Sequence, residues 1–216
     1  MQKQLVIKII GLIINLFLFV SSMVVFFRII YAPEGDIRYF RQFTNLSNIY
    51  MGIISLLIFI FTLINIKKEY RLPKWLRIMQ LSAVVGVMLT FLTVILFLVP
   101  TQVRNWTDFV NMYKNDMFFF HFLNPLLAFI VFLFFSKGEK LSWKEDFLGM
   151  IPMVIYSIIY SICVLTHRWN DFYGFTFGGK QWVLPISLLV MYLVTYLISF
   201  LSSFIYNKIK GKRKRQ

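Results

Sequence analysis

The 216-residue chain is poor in most of what water-soluble enzymes display. It has nine Asp and Glu against 23 Lys and Arg, and charged residues make up only 15%. A single cysteine, Cys163, excludes an intrachain disulfide. There are two histidines, His121 and His167, with no HExxH and no cysteine cluster, so the familiar metal patterns are missing. No glycine-rich loop follows a predicted strand, which removes phosphate-cradling motifs. Alanine occurs three times, at Ala32, Ala83 and Ala128, against 25 phenylalanines. With abundant Ile, Lys and Asn, that bias suggests AT-rich coding in a low-GC bacterium. There is no repeat of solenoid type and no linker long enough to separate two domains.

What the chain has is hydrocarbon. Hydrophobic residues reach 59% and arrive in runs rather than in alternation. The fold class is therefore all-α: a polytopic membrane protein, a single domain over residues 1–216. Six spans are expected, at about 5–30, 43–66, 76–99, 117–135, 147–165 and 182–206, each near or above the ~20 residues that cross a bilayer. The first run is too long for a signal-peptide core and has no small-residue cleavage site, so it reads as a retained span.

The net charge of +14 would suit nucleic acid, but its placement argues against that partner. Sixteen of the 23 Lys and Arg fall on one side of the expected spans: Lys3 and Lys8, the second loop (Lys67, Lys68, Arg71, Lys74, Arg77), the fourth loop (Lys137, Lys140, Lys144) and the basic tail 207–216 (Lys208, Lys210, Lys212, Arg213, Lys214, Arg215). Seven fall on the other. Positive loops stay inside, so both termini are expected to be cytoplasmic, in a bacterial plasma membrane. The outer loops differ in character. The first carries Tyr31, Pro33, Glu34, Asp36, Arg38 and Tyr39. The fifth, Thr166 to Gly179, is dense in aromatics and glycine, and reads either as an interfacial belt or as a lid pivoting on its glycines over an outward-facing cavity.

Polar residues inside lipid are expensive and turn toward a protein interior. Thr44, Ser47 and Asn48 share one face at the mouth of the second span, and small residues, Gly52 and Ser55, continue it. At the start of the fourth span, His121, Asn124, Pro125 and Ala128 form another such face. Both clusters lie on the order of 5–7 Å inside the outer boundary at 1.5 Å per residue. They are expected to meet.

That meeting would pair an alcohol with a base. A threonine hydroxyl needs a neighbouring base to attack, and neutral imidazole is the usual one. Asn45, Asn48 or Asn124 could stabilise an oxyanion. Asp116 and Asp171 are candidates, by side alone, to orient His121. The plain alternatives are a helix cap for Thr44, an interhelical hydrogen bond for His121 and a kink for Pro125. A rival couple, Cys163 and His167, stands at i, i+4, where an inert buried thiol is the commoner case. Haem between His121 and His167 is disfavoured with so few histidines.

The span number, the Phe43-Thr44-Asn45-Leu46-Ser47-Asn48 opening of the second span, and His121 followed one turn later by Pro125 resemble the androgen-induced-gene superfamily of six-span membrane proteins. That group includes the androgen-dependent TFPI-regulating protein and bacterial relatives. The resemblance implies an intramembrane threonine hydrolase of fatty acid esters, with the nucleophile at Thr44 and the base at His121. The animal version carries a second His and Thr in the fourth-span motif that this chain lacks, so the bacterial relatives are nearer.

The expectation is thus a lipid-ester hydrolase that needs no cofactor or metal and whose partners are membrane lipids and a lipid-like substrate. Asn45, Ser47, Asn48, Asn124, Phe43 and Phe120 would contact that substrate, with Phe118, Phe119 and Phe122 completing an acyl slot. Two other readings stand beside it. One is a lipid- or small-molecule-binding or transporting bundle; the other is a structural subunit whose contacts run through Gly52 or Ala128.

Overall fold

The computed structural model describes residues 2–31, 35–69, 71–114 and 116–213. Pro33 and Glu34 of the first loop and Lys214 and Arg215 of the tail lie outside the described residues. Among the described residues the chain is helical, with no strand. Six helices are long and apolar enough to cross a membrane: Gln4–Tyr31, Phe43–Ile64, Lys74–Thr101, Asp116–Phe135, Trp143–Leu165 and Gln181–Lys210. Each coincides with one expected span. A helix satisfies its own backbone, which is what an apolar medium demands of a crossing segment.

The distribution of side chains is inverted relative to a water-soluble protein. Ile13, Leu96 and Leu193 are 60–70% exposed, while Ser22, Asn48, Asn124 and Thr195 have no exposed surface. Such a surface is stable against lipid tails, and the buried side chains of Asn48, Asn124 and Thr195 all make hydrogen bonds. The third span is the axis. Leu81, Val84, Val85, Val87 and Leu89 are all buried, the second, fourth, fifth and sixth spans pack against it, and the first packs mainly on the second.

Successive spans run up and down. Ties at one end are Arg28 to Asp116 at 2.5 Å and the Phe43 N–H to Tyr173 Oη at 2.8 Å. At the lysine-rich end, the Leu72 N–H donates to Lys137 O at 2.7 Å, and Lys74 pairs with Glu145 at 2.8 Å. Lys8 caps the second span, its Nζ donating to the carbonyls of Asn65, Ile66 and Lys68.

Close approach explains two glycines. A Cβ on Gly52 would lie 2.7 Å from Ser22 Cβ on the first span, and one on Gly86 would lie 3.2 Å from Ser47 Cβ. Gly52 and Ala128 are therefore interior contacts of the chain itself, which removes them as an assembly surface.

Several boundaries differ from expectation, for local reasons. The third span begins at Lys74, straight after Pro73, whose fixed φ suits a helix start. Arg77 is consequently not a loop charge; it is 1% exposed inside the bundle. The fifth span begins at Trp143 because Ser142 and Glu145 form a capping box. Wide π turns occupy Val94–Leu98, Phe119–Leu123 and Val131–Phe135.

Candidate functional site

The fourth span is where the backbone itself creates a need. Within its first π turn, the Asn124 N–H reaches back to Phe119 O. The next residue is Pro125, which has no N–H, so Phe120 O is left without its helical donor. Asn48, with no exposed surface on the second span, fills that gap: its Nδ2 donates to Phe120 O at 3.3 Å and to Thr44 O at 2.9 Å. One amide therefore holds the turn bearing Thr44 against the turn bearing His121. Asn124 Nδ2 donates to Asn48 Oδ1 at 3.4 Å, and Ser21 Oγ of the first span donates to Asn124 Oδ1 at 3.0 Å. Three helices are joined by this clasp.

Thr44 is the second residue of its helix, half-buried. Gln42 holds the cap position, so Thr44 is not the N-cap. Its carbonyl also accepts from Ser47 Oγ at 3.1 Å. His121 is half-buried, and its Nδ1 is enclosed with no hydrogen-bond partner among the described residues.

The stripe read as one face meets three neighbours. Ser47 turns to the third span at Gly86, Asn48 to the fourth, and Gly52 to the first. Asn45 does not join the clasp. Its amide turns back to Tyr39 O at 2.8 Å and Gln42 Oε1 at 3.4 Å, closing the 3-10 turn Ile37–Arg41 onto the helix. Of the phenylalanines expected to line an acyl slot, Phe43 stands apart from Phe118, Phe119, Phe120 and Phe122, which neighbour one another. Phe43 packs on Tyr156 with ring centroids 5.1 Å apart, whereas Phe120 is buried with Val25 and Ile29 of the first span. Phe119 leans on Phe17, and Phe118 stacks on Phe122.

Neither carboxylate considered for His121 is available to it. Asp116 pairs with Arg28. Asp171 organises the fifth outer loop, accepting from Tyr160 Oη at 2.6 Å, the N–H groups of Phe175 and Thr176, and Thr176 Oγ1. Burial pushes that carboxyl up, but the four donors outweigh it and hold it below the usual carboxylate range. Gly174, Gly178 and Gly179 take positive φ, as turns in this loop require. The folded loop is seated on the start of the second span and the turn before it: Tyr173 Oη accepts the Phe43 N–H and Arg41 lies 5.6 Å from the Trp169 ring, while Tyr156 Oη of the fifth span donates to Arg41 O at 2.7 Å. Cys163 and His167 form a helix end. Cys163 O accepts from the Arg168 and Trp169 N–H groups, with His167 in the left-handed region (φ 57°).

Sequence reasoning missed two participants. Ser21 is one hydroxyl in a long apolar run, although the adjacent pair Ser21-Ser22 was a signal. Arg77 was hidden among loop lysines.

The class defined by these observations is a six-helix bundle of membrane type with a buried Ser–Asn–Asn clasp beside a threonine and a histidine. A scan against family models finds no match, and neither curated proteins nor solved structures give a significant one.

Proposed function

We propose that the chain is an integral membrane hydrolase of acyl esters, with Thr44 as nucleophile and His121 as base, facing the outer leaflet of a bacterial plasma membrane. The observation that carries this reading is the enclosed, unpartnered Nδ1 of His121, in the turn that Asn48 binds to the turn of Thr44. With the ring proton on Nε2, Nδ1 is an acceptor. Thr44 Oγ attacks the ester carbonyl while its proton passes to His121. The imidazolium returns that proton to the departing alcohol, and water then cleaves the acyl-threonine. Asn48 spends its amide on two carbonyls and so positions the pair. Asn124, with one amide N–H given to Asn48, has the other for the oxyanion.

A fluorophosphonate probe tests this in detergent-purified protein. Labelling is expected in the wild type and in Thr44→Ser, and is expected to vanish in Thr44→Ala and His121→Ala with unchanged helical circular dichroism. Labelling that persists in both alanine variants overturns the assignment.

A second reading, a binding or transport bundle, draws on polar residues deeper in the same interior. Asn15, Ser55 and Gln80 line a small cavity of about 10 Å³ between the first four spans. A neighbouring one reaches Lys8, Thr62 and Ser136 at the lysine-rich end. Substrate counterflow in liposomes that Thr44→Ala leaves intact would favour it.

A further inference from the structure

The lysine-rich end holds a cation that the hydrolase reading does not use. Arg77 is 1% exposed, one turn into the third span. Its guanidinium lies against a pair of touching rings, 3.6 Å from the centroid of Tyr206 and 4.4 Å from that of Phe132. Nη1 donates to Gln80 Oε1 at 2.9 Å, and Gln80 in turn donates to Ser136 Oγ at 2.7 Å. Nε and Nη2 are buried and make no hydrogen bond of ordinary geometry, the Tyr206 hydroxyl being the polar group that faces the guanidinium. Among the described residues, no carboxylate pairs with Arg77; the nearby Glu145 is taken by Lys74.

Nε and Nη2 form one edge of the guanidinium, the fork that carboxylate and phosphate oxygens engage in pairs. A buried charge without a counter-charge is costly, and an oxyanion on that edge removes the cost. Gly138 sits against the same group: a Cβ there would lie 2.8 Å from Arg77 Cδ and 3.0 Å from Nε. Tyr206 Oη fixes Gly138 through its N–H and carbonyl, and Lys210 Nζ donates to the same Oη at 3.2 Å. Two cations therefore converge on Tyr206, at the level where an inner-leaflet headgroup would lie. We infer that the Nε–Nη2 edge of Arg77 is a receptor for a phosphate-type oxyanion, from an anionic lipid headgroup or from free phosphate. This site is independent of Thr44 and His121.

Native mass spectrometry of the full chain in detergent tests it, with phosphatidylglycerol, phosphatidylcholine and inorganic phosphate as probes. The wild type is expected to retain one phosphatidylglycerol in preference to phosphatidylcholine. Arg77→Lys keeps the charge but loses the fork, and should bind about tenfold more weakly. Gly138→Ala crowds the same edge and should act in the same direction, which keeps the test decisive should Arg77→Lys not fold. Displacement of the lipid by excess inorganic phosphate marks a site that also accepts the free ion; no displacement marks the headgroup as the source. Undiminished binding in both variants, or no binding of either anionic probe, overturns the inference.

Discussion

Asn48 does at the scale of one residue what a proline makes necessary elsewhere. Its two N–H groups serve Phe120 O and Thr44 O, and its oxygen accepts from Asn124. Asn48→Ala leaves a buried carbonyl and a buried amide unsatisfied, which should cost about 1–3 kcal/mol. Asn48→Asp, of the same shape but without donors, should be as damaging. Thermal unfolding in detergent checks both, and a wild-type midpoint in either variant refutes the clasp. The two asparagines of this clasp were legible in the sequence as amides at helical spacing with Thr44 and His121. Asn45 was not separable from them, since position along a helix start does not say whether an amide turns inward or back to the preceding turn. Ser21 was harder to read, because a hydroxyl in an apolar run, even one beside Ser22, bonds its own helix as readily as a neighbour's.

Among the elements, the six spans were readable from hydrocarbon runs, because an apolar medium leaves a backbone few other options. Their ends were less so. Counting Arg77 with its neighbouring lysines took proximity in sequence for membership of a loop, whereas Pro73 starts the helix before it. The π turn before Pro125 left no mark that spacing could show. The fifth outer loop gains its shape from Asp171, whose carboxyl is depressed by its donors. A depressed carboxyl stabilises the fold above its unfolded pKa, and that contribution disappears as pH falls through the folded value. The loop should therefore hold from neutral pH to about 5 and loosen only below about 4, the ordinary aspartate range. Trp169 fluorescence follows this, and Asp171→Asn should show the loosened signal at all pH values. An unchanged signal in that variant would refute the role of Asp171.

For the molecule as a whole, the excess of lysine and arginine at one end predicts its orientation. In a Cys163→Ser background, Asp108→Cys should react with an impermeant maleimide on intact cells, and Lys208→Cys only after permeabilisation. The reverse pattern would invert the topology. Pairing between distant spans, by contrast, was not readable from composition, since Ser21, Asn48 and Asn124 come together only once the bundle closes. That closure has an order imposed by synthesis. The ribosome delivers Asn48 long before Phe120 and Pro125, so a nascent second span enters the bilayer with its amide only partly matched. Arrival of the fourth span is then the event that locks the first half of the chain. A truncated product ending before it should remain in the hands of the insertion machinery or of the proteases that clear unfinished membrane proteins.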